Sequence, residues 1–292
     1  MSGSSLGKGI GNAVLAYTLW GILPLYWKLL SFVQPLHILA FRILMSLVSV
    51  SLLLWILKNT AWFRLFKEKG KRNLAIWAAL LVTFNWGLYI WAVNSGRTIE
   101  AALGYYINPL ISILLGLIFF KERLLPMQWA AFAAAAAGVV FITLSSGGIP
   151  WISLGLALSF GFYALVKKKI PVSSLESLAA ETLAAMPVGI VLLVFPLHNL
   201  SDLSGLGFLP WAGLLLSGII TAVPLYCFAQ GAKYLSLSAL GFIQFLTPTL
   251  QFLIGRFVFG EPFPRAELIA FGFIWSSVIL YVISLVKKRA EP

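Results

Sequence analysis

The chain has 292 residues, 60% of them apolar and only 10% charged, against roughly 25% charged in an ordinary soluble domain. Eleven Trp, 22 Phe and a mean hydropathy of +0.95 exceed what one soluble core can take up, so most apolar side chains must face lipid or pack helix on helix within it. This excludes a soluble enzyme and a sizeable loop-borne catalytic domain, and the net charge of +12 has no folded basic face on which nucleic acid could sit.

The single Cys227 excludes an intramolecular disulfide, and no Cys/His cluster with metal-ligand spacing surrounds the two histidines, His37 and His198. No metal and no cofactor are expected. Apolar runs bounded by charge or by Gly, Pro and Asn predict an all-α polytopic membrane protein with ten transmembrane helices. They fall at about 10–30, 36–57, 74–95, 101–120, 124–145, 150–166, 175–196, 209–231, 237–259 and 266–286. Each run is near twenty residues and lacks the alternating period of a barrel strand. The first is too long and aromatic for a cleaved leader, and no small-residue cleavage site follows it.

With the N-terminus inside, sixteen of the 21 Lys and Arg fall on cytoplasmic segments, among them Lys67 to Arg72, Lys167 to Lys169 and Lys287 to Arg289. Only Arg97 and Arg265 lie on the opposite side, so both termini are predicted cytoplasmic. The same basic rim should favour anionic lipids of the inner leaflet.

The chain matches itself at a shift near 139. Leu88, Tyr89 and Ala92 align with Leu225, Tyr226 and Ala229. Pro109, Gly116, Phe120 and Glu122 align with Pro248, Gly255, Phe259 and Glu261. Two halves of five spans follow, residues 1–147 and 148–292, joined near Ser145 to Pro150. Because five is odd, the second half must enter the membrane upside down. Inverted repeats are the architecture of secondary transporters, with a substrate site near the midplane between the halves. A site built by both halves of one chain needs no dimer, so a working monomer is expected.

Span four carries Ala101, Tyr105, Asn108, Ser112 and Gly116 on one face, and span nine carries Gly241, Gln244, Pro248, Gln251 and Gly255 at the same steps. Such stripes form either one wall of a polar cavity or hydrogen-bonded glue between helices. Pro109 and Pro248 each free an upstream carbonyl and permit a bend, so both are hinge candidates, as are Gly21 and Gly161. Asn85, Trp86 and Tyr89 of span three, Tyr17 and Trp20 of span one, Tyr163 of span six and Tyr226 of span eight complete an aromatic wall with polar tips, suited to a small amphipathic or planar solute. Arg42 and Glu181, related by the same shift, each lie about six residues inside a span, where charge is costly. Arg42 is expected to line the outer vestibule or contact anionic substrate groups, and Glu181 to serve the inner vestibule as a protonatable coupling site. Snorkelling to the nearest headgroups or fixed structural pairs are the alternatives for both, and Lys28 and Arg256 are expected to snorkel to headgroups.

The stretch from Ala16 to Lys28, Asn85-Trp86 with Trp91 to Asn94, and Glu100 to Leu110 resemble the RarD (chloramphenicol-sensitive protein) family. So do Glu122-Arg123, Met127 to Trp129, Phe162-Tyr163, Lys168-Lys169, Leu240 to Phe242 and Pro248 to Leu250. That family is in the EamA branch of the drug/metabolite transporter superfamily. The resemblance implies ten helices in two inverted five-helix repeats, inner-membrane residence, small-molecule export and a peripheral fifth helix in each repeat. It also implies that Asn85, Trp86, Tyr105, Asn108, Tyr163 and Gln244 stand near the central cavity. Phe41 replaces a family His before Arg42, so proton handling by that position does not carry over.

No nucleotide-binding GxxxxGK[ST] run is present, and the one Asp, Asp202, and two His cannot assemble the clusters of an intramembrane enzyme. The expectation is a secondary carrier for a small organic metabolite or drug-like solute. A passive channel or a scaffold subunit is the alternative.

Overall fold

The computed structural model describes residues 3–59, 65, 67–95, 97–145, 151–194, 203, 205–260 and 265–290. The half-to-half junction at 146–150, and Arg64, His198, Asp202 and Glu261, lie outside the described residues. No strand occurs among those described. The helices in chain order are α1 (Gly3–Lys28), α2 (Pro35–Ile56), α3 (Lys69–Asn94), α4 (Thr98–Phe120), α5 (Pro126–Ser145), α6 (Trp151–Lys169), α7 (Ser174–Val194), α8 (Phe208–Tyr234), α9 (Leu237–Gln244), α10 (Leu246–Phe257) and α11 (Arg265–Ala290).

Among the described residues, seven stretches are long and apolar enough to cross a membrane: Pro35–Ile56, Ala101–Phe120, Pro126–Ser145, Ser174–Val194, Phe208–Tyr234, Leu237–Phe257 and Leu268–Lys287. Large apolar side chains such as Trp55, Phe208 and Phe257 stand fully outward. Only a lipid solvent makes that arrangement favourable over so much of a surface. The chain is a multi-pass membrane protein.

The ends of these helices follow from local chemistry. Pro35 opens α2, where its fixed φ and missing N–H cost nothing. At the end of α4, Lys121 takes a left-handed conformation (φ 51°), and the Glu122 N–H closes back on the Gly116 carbonyl at 3.2 Å. That turn aims Glu122 at α9, 115 residues further on.

The ninth predicted span, expected as one helix over 237–259, is instead two, interrupted at Phe245. Pro248 lacks the N–H that would bond the Gln244 carbonyl, so the ladder opens there. Its counterpart Pro109 sits inside an unbroken α4. The difference lies in what pins α10. The Thr247 hydroxyl donates to the Tyr17 carbonyl at 2.8 Å and the Gln251 amide to the Trp20 carbonyl at 3.3 Å, tying α10 to α1.

Helix packing has an internal order. α2 lies on α7 and α8, α3 on α6 and α7, α1 on α8 and α10, and α4 on α6 and α9. α5 and α11 pack on each other and reach the rest mainly through α4. Exchanging the two sequence-related halves maps this set of pairings onto itself: α3–α6 becomes α8–α1, and α4–α6 becomes the α9 and α10 packing on α1. The same holds at two close approaches. A Cβ on Gly21 would meet the Leu250 Cβ at 2.7 Å, and one on Gly161 would meet Ile111 Cγ2 at 2.6 Å. The two expected hinge glycines thus sit at equivalent crossings where the helices leave no room for a side chain.

Candidate functional site

A cavity of about 450 Å³ lies between the helices and reaches one end of the bundle, where α1 ends and α2 begins. Nine residues expected at a substrate site line it: Tyr17, Trp20, Arg42, Asn85, Trp86, Tyr89, Tyr105, Asn108 and Gln244. Pro248 also reaches it, whereas Pro109 and the two hinge glycines do not.

The walls are cross-braced. The Asn85 amide donates to the Leu156 carbonyl (2.8 Å) and to Ser159 Oγ (2.9 Å), holding α3 on α6. Ser112 Oγ donates to Gln244 Oε1 at 3.3 Å, joining α4 to α9. Tyr89 and Tyr105 meet edge to face at 5.8 Å. Asn108 and Thr247 are equivalent under the 139-residue shift, as are Leu156 and Tyr17. Thr247 uses the Tyr17 carbonyl, but Asn85 occupies the Leu156 carbonyl, and Asn108 Oδ1, buried on a side chain only 5% exposed, has no hydrogen-bond partner among the described residues.

Arg42 has an unusual setting. Its guanidinium carbon lies 4.5 Å from the Trp86 ring and 4.8 Å from the Trp27 ring, and Nε donates to Thr221 Oγ1 at 3.2 Å. No carboxylate comes within ion-pair distance of it among the described residues. Lys28, expected to snorkel, instead lines the mouth with Nζ 5.5 Å from the Phe259 ring.

Below the cavity the rings close ranks. Trp20 and Phe160 form its floor at 5.5 Å from one another. Phe228 lies 5.6 Å from Trp20 and from Phe160, and stacks on Tyr163 at 5.9 Å. Tyr163 is therefore not a lining residue; it is wholly buried beneath the floor, and its hydroxyl donates to Glu181 Oε2 at 3.2 Å. Glu181 is not exposed to the cavity either. Its Oε1 accepts from Lys167 Nζ and from Ser177 Oγ, both at 2.6 Å, while Lys167 also reaches Ser177 at 2.8 Å. Both charged groups are buried, Lys167 at 4% and Glu181 at 3% exposure. A crevice of about 20 Å³ is bounded by both Glu181 and Trp86.

Lys167 was expected on a cytoplasmic loop. The turn between α6 and α7 folds it back onto Glu181, fourteen residues on, so sequence position alone misplaces it. Tyr226 also departs from expectation. It lines a separate apolar pocket of about 300 Å³ against α2 and α7, and its hydroxyl accepts from Gln230 at 2.8 Å.

The end of the bundle away from the cavity is closed by side chain to backbone ties. Glu122 accepts from the N–H groups of Leu237 (2.7 Å) and Ser238 (2.8 Å) and from the Ser238 hydroxyl (2.7 Å). These are the orphan donors of the first turn of α9, where a carboxylate is also favoured by the helix dipole. Lys168 donates to the carbonyls of Ala232 and Leu235 at the end of α8.

Trp27, Phe160, Thr247 and Phe259 were not anticipated at the cavity. Trp27 could have been found, since it follows Trp20 by seven residues and shares its helix face. Phe160 is one of 22 Phe, and nothing local distinguishes it.

A multi-pass helical bundle with a polar and aromatic cavity open at one end and tied shut at the other is that of a membrane transporter. The chain belongs to the EamA-like transporter family, within its RarD group: the family model matches twice, over residues 7–144 and 147–283. An uncharacterized transporter of Bacillus subtilis, YojE, is 42% identical over 289 residues, covering 97% of each chain. Protein RarD of Escherichia coli is 39% identical over 283 residues, 96% of this chain and 95% of that one. A Pseudomonas aeruginosa protein named chloramphenicol-sensitive protein RarD is 30% identical over 94% of this chain and 93% of its own. A crystal structure 20% identical in sequence covers 100% of both chains with a TM-score of 0.74, and so shows the same fold.

Proposed function

We propose that the protein is a secondary transporter of the inner membrane that exports a small organic metabolite or drug-like solute by alternating access. Its ten spans form two inverted five-helix repeats, residues 1–147 and 148–292, with α9 and α10 together making the ninth span. The twofold family match and the self-mapping helix pairings support the duplication, and five spans per half require the inversion. Both termini are cytoplasmic by the bias of Lys and Arg, so the cavity opens outward and the end closed by Glu122 and Lys168 faces the cytoplasm.

The observation that carries the reading is the cavity itself, open at one end and floored by Trp20 and Phe160. Continuous access to both sides would make a channel; a floor between two ends, in a molecule whose halves can exchange conformations, makes a carrier. Tyr17, Trp20, Arg42, Asn85, Trp86, Tyr89, Tyr105, Asn108 and Gln244 bind the solute, while Tyr163 and Glu181 support the floor from below. The site is complete within one chain, which is consistent with a working monomer, and the basic rim favours anionic inner-leaflet lipids.

The test is counterflow into proteoliposomes preloaded with amino acids, nucleosides, quaternary amines or amphenicols. Saturable counterflow of one class is expected. Flux that never saturates would indicate a channel, and no flux of any solute would indicate a scaffold subunit.

A further inference from the structure

We propose that the transported solute is a monoanion, a small carboxylate on an apolar or aromatic body, and that Arg42 is its counter-charge. The proposal rests on the carrier reading above and deepens it.

The first ground is the lack of compensation at Arg42. A charge within a span is costly unless a partner meets it. The protein provides such a partner where it buries charge for structural reasons: Glu181 has Lys167, Ser177 and Tyr163 around it. Arg42 receives only aromatic faces and one hydroxyl. The charge left over faces a cavity whose lining includes a second cation, Lys28, and no acidic residue among the described residues.

The second ground is geometry. Trp27 and Trp86 both lie against the guanidinium, at 4.8 and 4.5 Å, and the N–H groups of a guanidinium donate in its plane, along its edges. Nε is already engaged with Thr221. The remaining edge presents the paired donors that match the two oxygens of a carboxylate. A phosphate dianion is better met by several cations gathered together, whereas the cavity lining holds one guanidinium and one ammonium, the latter at the mouth. Lys28 at the mouth is placed to draw an anion inward.

The third ground is the rest of the wall. Trp20, Trp86 and the Tyr89–Tyr105 pair offer ring surface to an apolar body. Asn108 and Gln244 bring amide groups to the same wall, where a hydroxyl or amino substituent on that body can be met.

The experiment uses the full-length, detergent-purified chain and compounds that differ only in charge: 3-phenylpropionate against 3-phenylpropionamide and 3-phenylpropylamine, indole-3-acetate against indole-3-acetamide, and phenyl phosphate as the dianion. Ligand-dependent rise in melting temperature is read for each. The carboxylates are expected to stabilise the protein, and their amides and the amine to do so at least about tenfold more weakly in apparent affinity. Arg42→Gln should weaken carboxylate binding by about 10- to 100-fold and abolish the preference over the amide, with Arg42→Lys between the two. Equal binding of amide and carboxylate by the unmodified protein, tighter binding of phenyl phosphate, or no stabilisation by any carboxylate overturns the proposal; because those results come from the unmodified chain, they do not depend on how the variants fold. The two readings fail separately. Carboxylate-selective stabilisation without counterflow keeps the anion site and removes the carrier, whereas saturable counterflow of neutral or cationic solutes indifferent to Arg42→Gln keeps the carrier and removes the anion.

Discussion

Arg42 and Glu181 stand at equivalent positions of the two halves, 139 residues apart, and the fold treats them in opposite ways. Glu181 is sealed beneath the aromatic floor with a lysine at 2.6 Å and two hydroxyls on its oxygens. Arg42 lies against two indoles beside an open cavity and has no carboxylate at ion-pair distance among the described residues. The contrast separates two uses of an intramembrane charge. A compensated pair holds helices together; an uncompensated one is a standing invitation to a ligand.

The comparison breaks most directly at the compensated end. Glu181→Ala leaves Lys167 buried without its partner and should cost about 3–5 kcal/mol, read as a lowered melting temperature in detergent. Replacing both residues, Lys167→Met with Glu181→Leu, should return much of that stability, because the loss comes from the orphaned charge rather than from the pair. A silent single variant would remove the ion pair as the fastener of this end. Glu122→Ala deletes three charge-assisted bonds on the first turn of α9 and should cost roughly 1.5–3 kcal/mol, together with faster reaction of buried groups at the closed end.

Arg42→Met sharpens the contrast from the other side. Loss of the hydrogen bond and ring contacts offsets the relief of an unpaired charge in a span, so stability should change by no more than about 1 kcal/mol. A destabilisation as large as that of Glu181→Ala would mean that Arg42 is structural after all. The smallest effect is expected at the exposed Lys71–Glu68 pair, where a 2.7 Å contact at the surface contributes at most about 0.5 kcal/mol.

Much of this was legible in the sequence, and the reasons differ from residue to residue. That Tyr105, Asn108 and Gln244 line the cavity is legible because steps of three and four put each on the polar face of an otherwise apolar span. Arg42 was found because a charge within a span has few innocent explanations. Glu181 was noticed for the same reason, but its role was hidden: Lys167 read as loop, and only the α6–α7 turn reveals the pair. The fate of the two prolines was also illegible. Pro109 and Pro248 have the same spacing to their neighbours, yet only the second breaks its helix, and the hydrogen bonds that pin α10 to α1 come from residues 230 and 231 positions away.

The central claim is that one end of the bundle is open and the other closed, and that they exchange. It is tested most directly with single cysteines in a Cys227→Ala background, reacted with a membrane-impermeant thiol reagent from each side of right-side-out and inverted vesicles. Gln251→Cys at the cavity should react from the periplasmic side and be slowed by a bound solute, while Ala232→Cys at the closed end should react only from the cytoplasmic side, and slowly until Glu122→Ala releases α9. Rapid reaction of both positions from their respective sides without that release, or reaction of Gln251→Cys from the cytoplasm alone, would contradict the account.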